Sequence, residues 1–474
     1  MLKKTIIEFG ILIFCTILIL HSVIKVLSPK AGNGIYDLKE FYELDRNSVD
    51  VLMLGSSLSF ISLDPAVFYE NSGIAGYSLG GALQPLNNTY FYLKEALKTQ
   101  RPKLITLEIY CAIRDDELNN YYVLNNISAI RSPGNRLGAI VSSTTKDRWL
   151  SMFLGFPEYH DRYKELTNED FQQYRGLKDF EYYLGHGTFY KTTECDRPIV
   201  DDEVEAISIP TKSEEYLLKI IELCDEYNIE LLLFASPNAE YSDTMKGMYT
   251  YISSIAQDYE GVSFVDFNEC YDTIGLDFQK DFADKIHLNH RGCPKFSEFF
   301  GNYLSESYHL EDHRGDGRYL RWEQAAEFNN ASIQDVRITE NNIRIESCLK
   351  NVREADSGEV VAYIWVTGEE TDIVSDALIE NDVPTEKGVY MISGGNTVWL
   401  DLTNSGYSFD FGKDVYTCKD DSMYKNSTQL FVVDEQLTMV VFDNYTMKLF
   451  DSCVINEDGW IVDRPVFVTW GWIF

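Results

Sequence analysis

The sequence predicts an α/β protein: a parallel sheet with helices on both faces, interrupted by a helical insertion and followed by a smaller all-β domain. Three observations predict it. Short apolar runs alternate with amphipathic stretches from Asp50 to about Leu310, and that alternation stops between Tyr110 and Pro210. After Tyr319 the pattern changes to β-branched and aromatic runs separated by Gly, Asn and Asp turns. At 474 residues the chain exceeds what one hydrophobic core usually supports. The expected division is an N-terminal segment 1–28, an α/β domain 45–310 carrying an insertion 111–210, a charged linker 311–335 and a β-rich domain 336–474.

The N-terminal stretch sets Lys3 and Lys4 before an apolar run whose uninterrupted core is Phe9 to Leu20. That core fits the h-region of a signal peptide. Extended to Thr5–Leu27, with Glu8, His21 and Lys25 near its ends, the run is long enough to cross a bilayer. No small-x-small cleavage site follows, which favours a retained single-pass anchor over a cleaved peptide. Either way the remainder is expected outside the cytoplasm, and with the anchor retained it stays at the cell membrane.

Five strands are expected in the α/β domain: 51–55, 75–80, 103–110, 229–237 and 262–267. Val51 to Leu54 is a continuous apolar run, as in a strand buried on both faces. Helices are expected over 87–99, 211–228 and 244–259, the second opened by Thr211 with Glu214 three residues on, a capping box. Five strands alternating with helices imply a flavodoxin-like three-layer α/β/α sheet, in which ligands sit beyond the carboxyl ends of the strands. The insertion, aromatic-rich over 147–190, reads as a helical cap. Its Trp149, Phe153, Phe156, Tyr159 and Tyr163 read first as the cap's own core, with a sugar-stacking platform as the other reading. In the C-terminal domain, strands over 360–368, 396–404, 428–444 and 445–455 suggest a sandwich or jelly-roll-like module, a structural appendage or a glycan-binding one.

Composition narrows the partners. With 75 acidic against 41 basic residues the net charge is −34, which opposes nucleic-acid binding. Nine cysteines are scattered singly without a C-x-x-C pair, so most read as small buried apolar residues.

The chemistry begins where the first strand ends, in Gly55-Ser56-Ser57-Leu58. Gly55 permits a sharp turn, and a serine there is either a helix N-cap or a nucleophile raised above the sheet. A serine nucleophile needs a base, and the base an orienting acid. Of seven histidines, His287 stands three residues after Asp284, in Asp284-Lys285-Ile286-His287, before the last helix of the domain. Parallel topology can bring that loop to Ser57. His290 is the competing base without an Asp at matching spacing, and His160 reads as a surface residue. Glu108, ending the third strand, reads as a structural carboxylate ahead of an active-site acid.

These blocks resemble the SGNH (GDSL-like) hydrolase superfamily over about Asp50 to Ser307. The resemblance implies Ser57 as nucleophile, His287 as general base and Asp284 as its orienter. It implies an oxyanion hole from the amides of Ser57 and Gly80, with Gly81 the alternative to Gly80. The family's third block supplies an Asn donor, whereas the third strand here ends in Leu104 to Asp116 without one, and Asn119 and Asn120 lie too far along. In organisation the chain looks most like the D-alanyl transfer proteins of teichoic-acid modification and the alginate O-acetylation proteins. That likeness implies an exported esterase or O-acyltransferase acting on acyl, above all O-acetyl, esters of cell-envelope polysaccharide. No metal or cofactor is expected, and a membrane-bound acyltransferase is an implied partner. The alternative is a weakly active or inactive protein that holds glycan or an assembly partner in the same cleft. A lipase is disfavoured by the acidic charge.

Overall fold

In this computed structural model the described residues are all except 1, 28–34, 115–119, 165, 167–183, 190–191, 342, 355–359, 394, 403–405, 412–413, 434–435, 445–447 and 464–474. The chain divides into two compact units, Met1–Ala326 and Glu327–Phe474.

The first unit is built on five parallel strands: β1 (Val51–Gly55), β2 (Gly76–Gly80), β3 (Leu104–Glu108), β4 (Glu230–Ala235) and β5 (Val262–Asp266). Their order is β2-β1-β3-β4-β5, the flavodoxin-like order expected, with the β1 pairings Val51–Gly76 and Val51–Leu104 setting the register. β1 lies between its two neighbours and is wholly buried, which is why its residues form an unbroken apolar run. On one face Val51, Met53, Leu232 and Phe234 pack with Phe68 of the helix Pro65–Ser72 and with Phe296, Phe300 and Leu304 of the helix Gly292–Ser307. The rings of Phe234 and Phe300 lie 5.0 Å apart. Each such buried ring contributes roughly 1.5–3 kcal/mol. The helices Leu86–Ala96 and Thr211–Glu226 pack against each other and against β1 and β4.

Several local expectations are corrected. Thr211 is the first helical residue and Pro210 the cap, so no capping box forms; Glu214 instead accepts a hydrogen bond from Tyr251 at 3.1 Å. The stretch 311–335, expected as a linker, is folded. His313 Nε2 meets Asp50 Oδ2 at 2.6 Å, and buried Trp322 donates from Nε1 to the Gly76 carbonyl at 2.7 Å. The boundary between units falls within the helix Leu320–Asn341. At the N-terminus a helix runs Leu2–Leu27, yet among the described residues no helix is long and apolar enough to cross a membrane. This helix takes in the whole of the expected span Thr5–Leu27. Of the nine cysteines, seven are buried, as expected of small apolar residues.

The insertion contributes the helices Asn120–Ser128, Pro133–Ser143 and Trp149–Leu154. The second lies along Leu86–Ala96, where Glu95 accepts from Ser132 Oγ at 2.9 Å and Asn135 Nδ2 at 2.7 Å. Tyr159 is buried while Phe153 and Tyr163 are exposed, so the aromatic stretch divides between a small core and surface. Residues 167–183 of the aromatic-rich stretch 147–190, and Asn119, lie outside the described residues.

The second unit holds two antiparallel sheets. One has six strands: β6 (Val360–Val366), β7 (Gly388–Ser393), β8 (Asn396–Trp399), β13 (Leu437–Asp443), β14 (Lys448–Ile455) and β15 (Ile461–Asp463). The other has four: β9 (Tyr407–Phe411), β10 (Asp414–Lys419), β11 (Ser422–Lys425) and β12 (Thr428–Val432). The run 428–444 is thus two strands in different sheets. Tyr363, Trp365, Val440 and Phe442 of the larger sheet pack against Phe411, Tyr416, Met423 and Phe431 of the smaller. The larger sheet's opposite face carries Ile364, Met439 and Cys453 against two helices, Ile345–Glu354 and Asp372–Glu380, which the sequence reading does not place.

Candidate active site

β1 delivers the chain to Gly55, whose φ of +142° is one that an L side chain rarely adopts. A Cβ there would stand 2.8 Å from Glu108 Cβ, so the turn requires glycine twice over. Ser56 caps the short helix Ser57–Phe60, and Ser57 is its first residue. The N-cap reading therefore belongs to Ser56, leaving the Ser57 hydroxyl free for another partner.

That partner is His287. Ser57 Oγ lies 2.8 Å from His287 Nε2 across 230 residues of sequence. On the other side of the ring, Nδ1 lies 2.9 Å from Asp284 Oδ2 and 3.0 Å from Oδ1. Donation by Nδ1–H to the carboxylate leaves Nε2 unprotonated and facing the serine hydroxyl. Asp284 also accepts from the amides of Ile286 at 2.8 Å and His287 at 2.9 Å, which fixes the loop. Burial alone would raise its pKa, but the His287 hydrogen bond and these amides outweigh that and hold it below the usual carboxylate range.

The loop is clamped from beneath. Asn289 is fully buried; its Oδ1 accepts from the amides of Arg291 and Gly292, and its Nδ2 donates to the Lys280 carbonyl at 2.7 Å. The Leu-Asn after His287 is thus a scaffold for the histidine loop. Phe189, from the insertion, stacks edge-on to His287 with centroids 5.2 Å apart, and its carbonyl accepts from the His290 amide at 2.8 Å. Nothing in the sequence marks Phe189. His160 is exposed, beside Asp161.

The Ser57 amide opens its helix and has no acceptor one turn back. In β2 the Ser78 amide donates outward to Leu184 O, and the Gly81 amide donates toward β1, to Gly55 O at 3.4 Å. Strand alternation then sets the Gly80 amide on the outer side with Ser78, leaving Gly81 as the glycine amide turned toward the nucleophile strand. Gly81 is tightly enclosed: a Cβ would meet Asn126 Oδ1 at 2.3 Å.

At the end of β3 stands Glu108, 1% exposed. Its Oε1 accepts from the Tyr110 amide at 2.8 Å and its Oε2 from Ser56 Oγ at 3.0 Å, with the Ser56 and Ser236 amides also donating to the carboxylate. Burial pushes its pKa up to about 7 against these donors. The carboxylate ties the ends of β1, β3 and β4 together under the nucleophile turn. Among the described residues no group of three or more His, Cys, Asp or Glu is arranged to hold a metal ion.

No family model matches the chain, and no curated protein matches it. Among solved structures the chain is similar to a presumed acylhydrolase from Bacteroides fragilis, at 11% identity and TM-score 0.28, covering 57% of this chain and 94% of that one. It is also similar to a presumed platelet activating factor from Streptococcus pneumonia, at 12% identity and TM-score 0.30, covering 57% and 92%.

Proposed function

We propose that the first unit is a serine esterase or O-acyltransferase of the SGNH type. The observation that carries this is the continuous hydrogen-bonded line Ser57–His287–Asp284 at the carboxyl end of the sheet. His287 Nε2 takes the Ser57 proton as Oγ attacks an ester carbonyl carbon; the oxyanion forms toward the Ser57 amide. Collapse expels the alcohol, which takes the proton back from His287, and leaves an acyl-Ser57 ester. Water or a second hydroxyl, deprotonated by His287, then releases the acyl group. Asp284 holds the tautomer and stabilises the charged ring.

By the likeness in organisation to the D-alanyl transfer and alginate O-acetylation proteins, the ester is an O-acyl group, with O-acetyl first, on a cell-envelope polysaccharide. A second reading, a glycan- or partner-binding protein of little activity, is favoured by the lack of an Asn from Leu104 to Asp116, where the resemblance leads one to expect an amide donor.

A fluorophosphonate probe followed by peptide mapping separates the two. The expected result is an adduct on Ser57 that is lost in His287→Ala. A folded protein that gives no adduct, and that still binds glycan as Ser57→Ala, would reject the enzyme in favour of the binding protein.

A further inference from the structure

We propose that the insertion helices Pro133–Ser143 and Trp149–Leu154 form a seat for an anionic lipid surface, beside the end of the N-terminal helix. The first observation is apolar exposure in register. Leu137 and Val141, four apart on the first helix, are 46% and 41% exposed; Leu150, Phe153 and Leu154 on the second are 69%, 37% and 51% exposed. Spacings of three and four put each set on one helix face, and the two helices pack side by side. Five large apolar side chains gathered on neighbouring helices are an interaction surface rather than scattered exposure.

The second observation is charge. The chain carries −34 overall, yet residues 131–164 hold six Lys or Arg (131, 136, 146, 148, 162 and 164) against three Asp or Glu (147, 158 and 161). A net +3 island in a strongly acidic protein is complementary to anionic headgroups, whereas the remaining surface is repelled by them. Arg136 lies over the Phe153 ring at 5.9 Å, a cation held at the rim of an apolar patch. Trp149, half-buried at the start of the second helix, suits the interfacial depth where indole rings concentrate.

The third observation is continuity with a second apolar element. On the N-terminal helix Phe9, Ile11, Leu12, Ile13, Phe14, Leu18, Ile19, Leu20 and Val23 are each 39–65% exposed. These positions cover more than one face of the helix, which needs an apolar surrounding that the described residues do not supply. The helix ends against the insertion: it packs on Phe156–Tyr159, and Arg162 Nη1 donates to the Leu27 carbonyl at 2.7 Å. A membrane holding the N-terminal helix would therefore meet the basic, apolar face of the insertion at the same place. Two attachments fix the orientation of the protein on the bilayer, where one would leave it swinging on a tether.

The inference does not depend on the chemistry at Ser57. It is tested with the full chain carrying Cys15→Ala and Cys270→Ala, spin-labelled at Leu150→Cys, at Phe14→Cys, or at the exposed control Glu226→Cys. Each is incorporated in vesicles of phosphatidylcholine alone or of phosphatidylcholine with phosphatidylglycerol. Collision with oxygen against a water-soluble nickel chelate reports immersion. In anionic vesicles, position 150 is expected to favour oxygen like position 14, about tenfold over the control, and Lys146→Glu with Arg131→Glu is expected to reduce that ratio severalfold. Water-like accessibility at 150 with lipid-like accessibility at 14 would overturn the seat and leave the N-terminal attachment standing. Water-like accessibility at both would overturn any lipid attachment. Equal immersion of 150 in both vesicle types would overturn the requirement for anionic lipid.

Discussion

Glu108→Gln is the most direct probe of how the nucleophile turn is held. The carboxyl sits among four donors yet is so buried that its pKa stands at about 7, against 4.5 for the free side chain. The folded state therefore binds a proton between those values that the unfolded state has released. Stability must fall as pH rises through that window and level off above it. At about 1.36 kcal/mol per pH unit, the difference amounts to about 3 kcal/mol. Glutamine is neutral throughout and lacks this slope. Its amide presents N–H groups to donors that now find a carboxylate, which adds a pH-independent loss of about 1–3 kcal/mol. The stability of Gln minus that of the native protein is thus expected to rise by about 3 kcal/mol between about pH 4.5 and pH 8. Because the chain has two units, a single global transition is the wrong observable. Pulse proteolysis in graded denaturant, read by mass spectrometry on peptides spanning β1 and β3, isolates the relevant unit. A difference that stays flat across this pH range would refute the argument and show that Glu108 ionises as an ordinary carboxylate.

Two further outcomes follow from the same geometry. Asp284→Asn should leave Ser57 and His287 in place but favour the wrong tautomer, lowering turnover of a p-nitrophenyl ester by about a thousandfold or more; an unchanged rate would remove Asp284 from the relay. Gly55→Ala forces an L side chain into φ +142° and against Glu108, so it should cost about 1–3 kcal/mol by the same proteolysis measurement and displace Ser57, slowing fluorophosphonate labelling at least tenfold. Labelling at the native rate would show that the turn tolerates the change.

The sequence by itself determined whatever depends on neighbours along the chain. The unbroken apolar run 51–54 is a central strand because both its faces are buried, and burial on both faces leaves no polar alternation to read. The Asp284–His287 spacing was legible because a three-residue loop brings the two side chains together wherever the loop lies. The antiparallel sheets of the second unit were legible from their β-branched and aromatic runs, but the split of 428–444 between two sheets was not, since each half is an acceptable strand in either. Only the tertiary structure decided the remainder. It brought Ser57 to His287 across 230 residues, set Phe189 against the imidazole, and tied the Gly81 amide to the Gly55 carbonyl. It also buried Trp322 in a stretch whose charges read as a linker, because its indole found the Gly76 carbonyl. Glu108 shows the division most plainly. Its position at a strand end could be read from the pattern, but its four donors come from three strand ends, and its burial is a property of the assembled sheet. A side chain's neighbours in sequence fix its local conformation; its dielectric and its hydrogen-bond partners are supplied by residues that only folding brings near.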